Sequence, residues 1–222
     1  MSLINGTRSG CKDVFRAFMV QHASYEGNLE IPCIAPIKET PEKLISFSKS
    51  ISSKEFDAWV HPYEDDASLE RLWNNPKKYL PILKRYKGVI TPDFSLYRDM
   101  PLVMQQWNLY RSQAFGTWLQ DEGLSVIPNV RWGDERTFNA CTLGKPKNST
   151  IAIGSHGCIK SLRDREFFVR GLDYVVTTLQ PKMIVVYGTA PESIFGKYED
   201  AGIQIIQFDS DFMIAHRKRK VR

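Results

Sequence analysis

The chain has 222 residues, of which 42% are hydrophobic, 25% charged and 12% aromatic, proportions of a folded globular protein and too apolar for a disordered one. That length supports one substantial core, so a single α/β domain over residues 1–222 is expected, with 1–28 as an N-terminal extension and 217–222 as a basic tail. The net charge of +5 resides in Arg217, Lys218, Arg219, Lys220 and Arg222; without them basic and acidic residues balance, which argues against a nucleic-acid binder with a basic field over its whole surface.

No run approaches 18 consecutive apolar residues, and residues 1–15 lack the apolar segment and small-residue cleavage site of a signal peptide. A cytoplasmic protein without membrane association is expected. The four cysteines, Cys11, Cys33, Cys141 and Cys158, form no C-x-x-C pair and have no histidine at zinc-ligand spacing, so buried thiols are expected. The sequence names no cofactor and leaves open whether a metal is needed.

In chain order, Asp13–His22 suggests a short helix, and Leu29–Ile37 a strand that Pro32 and Pro36 confine to an edge. Thr40, Pro41 and Glu42 resemble a helix start, and Leu44, Ile45, Phe47, Ser48 and Ile51 fit a helical stripe through Ser52. Phe56–Val60 reads as a short strand ending at His61, followed by one or two helices over Ser68–Tyr86 that break near Pro76. Gly88 opens a strand–helix–strand unit that runs to Glu135. Its long helix places Val103, Trp107, Tyr110, Ala114 and Trp118 on one face, expected to be buried, and Gln105, Gln106, Asn108 and Arg111 on a solvated one. After a short helix near 136–144, Thr150–Gly154 is a compact strand, and Ser161 with Asp164 caps a helix through Leu179. Met183–Tyr187 and Ile203–Phe208 are the last strands, separated by a helix over Pro191–Ala201.

About seven strands alternating with helices imply an α/β fold with a mainly parallel sheet. Polar residues follow nearly every strand: His61, Asp93, Arg131, His156, Tyr187 and Asp209. A barrel uses the ends of many strands whereas an open doubly wound sheet concentrates its site at one switch point, so a compact TIM-barrel-like arrangement is preferred.

Asp93 follows a strand in T-P-D-F-S, and Arg131, Asp134 and Arg136 gather around Gly133 in R-W-G-D-E-R. Carboxylates beside guanidinium groups serve as bases, metal ligands or orienting groups, or simply as ion pairs under a loop. In G-S-H-G-C, glycines present His156, the side chain that titrates near neutrality, with Cys158 two residues on. Y-G-T-A-P-E-S places Gly188 and Thr189 where backbone N–H groups cradle a phosphate, though an ordinary strand-to-helix turn has the same pattern. The catalytic candidates are therefore Asp93, Asp134 and His156; the ligand-binding candidates are Arg131, Arg136, Gly188 and Thr189.

The segments ITPDFSLYRDMP, QQWNLYRSQAFG, VIPNVRWGDERTF, AIGSHGC and VVYGTAP, between about Tyr86 and Phe208, together resemble the domain-of-unknown-function family 4417 of bacterial and phage proteins. The resemblance implies a phage or mobile-element setting and assigns no catalytic role. The residues themselves point to an enzyme, of hydrolase or phosphate-ester-directed type, acting on a phosphate-bearing small molecule or nucleic-acid component. The alternative is a non-catalytic module that binds nucleic acid or a host protein, aided by the basic tail.

Overall fold

A computed structural model describes residues 13–220, with the side chains of Lys218, Arg219 and Lys220 excepted. Cys11, residues 1–12 of the expected N-terminal extension and Arg222 of the basic tail lie outside the described residues. After a 3-10 turn at Ala17–Val20, β1 (Tyr25–Glu26) and β2 (Ile31–Pro32) form a small antiparallel pair. Next come β3 (Leu44–Ser46), α1 (Phe47–Ser50), β4 (Trp59–His61), α2 (Asp66–Asn74), α3 (Pro76–Leu83) and β5 (Gly88–Ile90). The long helix α4 (Leu102–Asp121) leads to β6 (Val126–Ile127), α5 (Glu135–Thr142) and β7 (Thr150–Gly154). The chain finishes with α6 (Leu162–Leu179), β8 (Met183–Tyr187), α7 (Glu192–Asp200), β9 (Gln204–Phe208) and α8 (Asp211–Lys220).

The fold is α/β, with two parallel ladders, β3-β4-β5-β6 and β7-β8-β9, alternating with helices. Among the described residues one parallel bridge, Asn129 to Ala152, links the ladders, supported by Val130 N–H donating to the Ala152 carbonyl at 2.8 Å. Each strand neighbours the next in sequence, the order that right-handed crossovers produce when all helices lie on one side. Among the described residues no pairing between β9 and β3 closes the ladders.

The period-two alternation of the strands explains why both ladder faces are apolar. Val60 and Val89 face the helices α2 to α4, and Ile151, Ile153, Ile184 and Val186 face α5 to α7. Their neighbours Trp59, Ile90, Ile127, Ala152 and Val185 join a third cluster on the opposite face, with Leu44 and Phe208 packed against it. Fully burying one such side chain contributes about 1.5–3 kcal/mol. Gly88 is part of this packing: a Cβ there would lie 2.4 Å from the Trp59 indole.

Capping follows the expected chemistry in part. Asp65 accepts from Ser68 N–H at the start of α2, and Ser161 accepts from Asp164 N–H at the start of α6, as its spacing predicts. Two expectations are corrected. Residues 44–46 are a strand and not the start of a helix, because Leu44 and Ile45 pair with Trp59 and Val60; only Phe47–Ser50 is helical. On α4 the expected faces hold in part: Ala114 and Trp118 are buried as expected, but Val103 is 70% and Trp107 40% exposed, whereas Gln105 and Arg111 are buried, as is Gln113. Those polar side chains bind loop backbone and neighbours. Gln105 donates to the Met100 carbonyl, Gln113 to those of Pro32 and Gly144, and Arg111 pairs with Glu70 over the Phe94 ring.

No helix among the described residues is long and apolar enough to cross a membrane.

Candidate functional site

The segments after β5, β6 and β7 enclose a cavity of about 700 Å³, together with the start of α6. Each contributes distinct chemistry. Leu96–Asp99 comes from the loop after β5, Val130–Gly133 from the segment after β6, and His156 with Cys158 from the turn after β7. The α6 start adds Arg163, Asp164, Phe167 and Phe168. The wall therefore combines three guanidinium groups, of Arg98, Arg131 and Arg163, with the rings of Tyr97, Trp132, Phe167 and Phe168.

Arg131 is the most buried of these cations. Its Nη1 lies 3.3 Å from Asp93 Oδ2, with side-chain exposures of 24% and 12%. Asp93 Oδ1 accepts from Asn129 Nδ2 at 2.7 Å, and Asn129 Oδ1 accepts from the Tyr63 hydroxyl at 2.9 Å. The Asp93 charge raises the Arg131 pKa against the opposing effect of burial, so the guanidinium is always charged. Burial, with Asp93 adding to it, also holds the Tyr63 phenol well above its ordinary range and keeps it a donor.

Arg98 pairs with Asp164 at 2.6 Å, and its guanidinium lies 4.5 Å from the Phe167 ring centre. Trp132 is seated where α6 has no Cβ: at Gly171 that atom would lie 2.1 Å from the indole Nε1. The indole N–H donates to the Phe167 carbonyl at 3.3 Å.

His156 occupies an exposed turn at the cavity rim, with Nδ1 at 3.4 Å from Ser210 Oγ. Burial and then the Lys160 charge lower its pKa below 6.5, so the imidazole is neutral at pH 7. Gly188, at φ +119°, passes so close that a Cβ would lie 2.5 Å from Ser155 Oγ and 2.8 Å from His156 N. The Ser155 hydroxyl donates to the Thr189 carbonyl at 2.7 Å. The glycine turn after β8 thus braces the histidine turn after β7.

Cys158 Sγ faces the His156 carbonyl oxygen at 3.8 Å and not the ring. Burial raises its pKa despite the nearby Arg131 charge, the opposite of what an activated thiolate needs. Among the described residues no group of three or more His, Cys, Asp or Glu side chains is arranged to hold a metal ion.

The structure thus brings together three of the seven residues singled out in the sequence: Asp93, Arg131 and His156. Asp134 and Arg136 pair with each other at 2.8 Å; Asp134 caps α5, and Arg136 also donates to the Arg98 carbonyl at 2.5 Å. Gly188 and Thr189 support the His156 turn from behind. Arg98, Arg163 and Phe167 escaped the sequence reading, because a charged loop and an amphipathic helix start give no signal of a shared wall. Asn129 was not singled out either, although its place two residues past the end of β6 was a usable hint.

A family model described as Domain of unknown function (DUF4417) matches residues 23–209, reaching well upstream of the segments that carry the resemblance. The chain is 35% identical over 186 residues to the Gene 1 protein of Mycobacterium phage L5, covering 82% of this chain and 80% of that protein. It is 34% identical over 163 residues to the Gene 1 protein of Mycobacterium phage D29, covering 72% of this chain and 60% of the relative. No solved structure matches.

Proposed function

The chain belongs to the domain-of-unknown-function family 4417, which includes phage proteins, and we propose that it binds and acts on a phosphate-bearing small molecule or nucleic-acid component in the cavity beyond β5, β6 and β7. The observation that carries this reading is the Arg131 guanidinium, fixed from behind by Asp93 and partly exposed at the cavity wall. A fixed guanidinium is suited to bidentate contact with a phosphate, and little side-chain entropy is lost when the anion arrives. Arg98 and Arg163 add positive charge, and the surrounding rings suit an organic portion of the ligand.

His156, neutral at pH 7 on the rim, is the proton acceptor of a phosphate-ester-directed enzyme. Asp93 acts by positioning Arg131, since both its oxygens are already engaged. Asp134 with Arg136 braces the entry to α5 beside Arg98, and Gly188 with Thr189 fixes the histidine turn. We read the two parallel ladders as one incomplete TIM-like barrel, supported by the Asn129–Ala152 bridge and the shared inner cluster.

The test is a thermal-shift series on the full chain with inorganic phosphate, AMP and divalent cations, repeated on Arg131→Gln. Phosphate-bearing ligands are expected to raise the Tm of the native chain by mass action and to lose that effect in the variant. No shift, or an equal shift in Arg131→Gln, overturns the reading.

A further inference from the structure

His156 is shared between the cavity and α8. Its ring centre lies 5.7 Å from that of Phe212, which in turn lies 5.9 Å from that of His216. The three rings form a row leading from the cavity rim onto the last helix. Phe212 is 62% exposed and Ile214 40% exposed. A single exposed phenylalanine is ordinary on a protein surface. A ring set between two histidines, next to a cationic cavity and on a helix with a basic end, is a different arrangement.

The helix is firmly placed beside that rim. Asp211 N–H donates to the Tyr187 hydroxyl at 3.0 Å, and its carboxylate pairs with Lys49 at 2.7 Å. Arg217 is engaged by Asp209, but the sequence continues with Lys218, Arg219 and Lys220 along the same helix. On the cavity side, Arg163 lines the wall, and the Lys160 charge is close enough to lower the His156 pKa.

Rings alternating with cations are how proteins hold single-stranded nucleic acid, whose bases expose faces for stacking and whose backbone carries a charge at every step. We propose that the ligand is the end of a single-stranded nucleic acid, its terminal nucleotide in the cavity and the adjoining base stacked on Phe212. This inference rests on the phosphate-binding reading of the cavity. A mononucleotide can be held within the cavity of about 700 Å³ but leaves Phe212 and the helix charges unused. A duplex keeps its base faces stacked internally and offers Phe212 nothing to cover.

Fluorescence anisotropy of a labelled hexanucleotide, in DNA and RNA versions, with AMP and an unlabelled duplex as competitors, tests this on the full chain. The hexanucleotide in one or both sugar forms is expected to bind at least about tenfold more tightly than AMP. Phe212→Ala should weaken hexanucleotide binding about tenfold, the effect of losing one stacking platform, and leave AMP competition unchanged. Phe212→Trp should preserve binding. Arg131→Gln should weaken both ligands. Equal affinity for AMP and hexanucleotide, no effect of Phe212→Ala, or equal competition by duplex overturns the inference and leaves the cavity reading standing. Failure of both AMP and hexanucleotide to bind overturns both.

Discussion

Arg131 and Asp93 meet at 3.3 Å behind the cavity wall, and the carboxylate is held in turn by Asn129 and, through it, by Tyr63. Four side chains from three successive strand ends therefore form one connected line: Tyr63 comes after β4, Asp93 after β5, and Asn129 and Arg131 after β6. The line joins the inner apolar cluster, against which Tyr63 packs, to the cationic wall of the cavity. Its order is what makes the guanidinium a fixed group and not a mobile surface charge.

Breaking this line has a predictable size. Removing one member of a fully buried pair costs about 3–5 kcal/mol, but Arg131 retains some solvent contact, so Asp93→Asn should lower unfolding stability by about 2 kcal/mol. Asn129→Ala removes two hydrogen bonds, to Asp93 and from Tyr63, and should cost about 2 kcal/mol. Urea denaturation measures both, and each variant should also bind phosphate ligands more weakly, because Arg131 is no longer held in place. An Asp93→Asn midpoint equal to that of the native chain would contradict the connected line.

The strand ends were legible because continuous apolar runs such as Ile151–Ile153 and Met183–Val186 can only be buried strands of that length, and in a parallel fold the residues just past their C-terminal ends gather on one side. That logic located Asp93, Arg131 and His156. It failed where pairing overrides local pattern. Leu44–Ser46 begins an amphipathic stripe, yet the parallel partner Trp59–His61 takes it as a strand. It failed again on α4, whose buried side carries Gln105 and Gln113 because the helix packs on carbonyls of irregular backbone, which need donors and not apolar contacts. Arg98 and Phe167, 69 positions apart in the chain, meet only through the tertiary fold, and no spacing rule could join them.

His61 gives the protein an acid-sensitive core. It is 2% exposed, its ring lies 4.5 Å from that of Tyr187, and its Nδ1 accepts from Tyr63 N–H at 3.3 Å. Burial lowers its pKa from 6.5 to about 4, with Asp211 opposing and Lys49 reinforcing the shift. A depressed histidine pKa means that the unfolded chain takes up the proton first. The contribution is therefore complete above pH 6.5 and is lost as pH falls from 6.5 towards 4, by about 3 kcal/mol in all. His61→Gln should flatten the loss of stability across this window, read from urea midpoints at half-unit pH steps. An unchanged slope in the variant would assign the acid sensitivity elsewhere.

Cys158 lines the cavity and invites a nucleophilic reading that its surroundings oppose. Its thiol is raised by burial, and its sulfur faces a carbonyl while the His156 ring is directed to Ser210. Alkylation by iodoacetamide at pH 7.5 should be slower at Cys158 than for a free cysteine, because reaction proceeds through the thiolate. Cys158→Ser should keep ligand binding within about twofold, a change of roughly 0.4 kcal/mol. Rapid alkylation, or loss of binding in the serine variant, would restore the cysteine to the site's chemistry.

Gly171 supplies the sharpest structural test, because two effects of known size oppose each other there. Glycine within a helix is about 1 kcal/mol worse than alanine, so Gly171→Ala in α6 would stabilise a free-standing helix. In this fold the added methyl would sit 2.1 Å from Nε1 and 2.3 Å from Cδ1 of Trp132, a rigid bicyclic ring that is itself buried. Overpacking of this kind costs about 1–3 kcal/mol or more and outweighs the propensity gain. The displaced indole also loses its bond to the Phe167 carbonyl, and both residues line the cavity. Gly171→Ala is therefore expected to lower the Tm and to weaken phosphate-ligand binding together. Gly196→Ala in α7 is the control: there the added atom meets only the flexible Glu192 side chain at 3.2 Å, and stability should hold or rise slightly with binding unchanged. If both variants gain stability alike, Trp132 does not pack on α6 as described, and the aromatic wall of the cavity has to be redrawn.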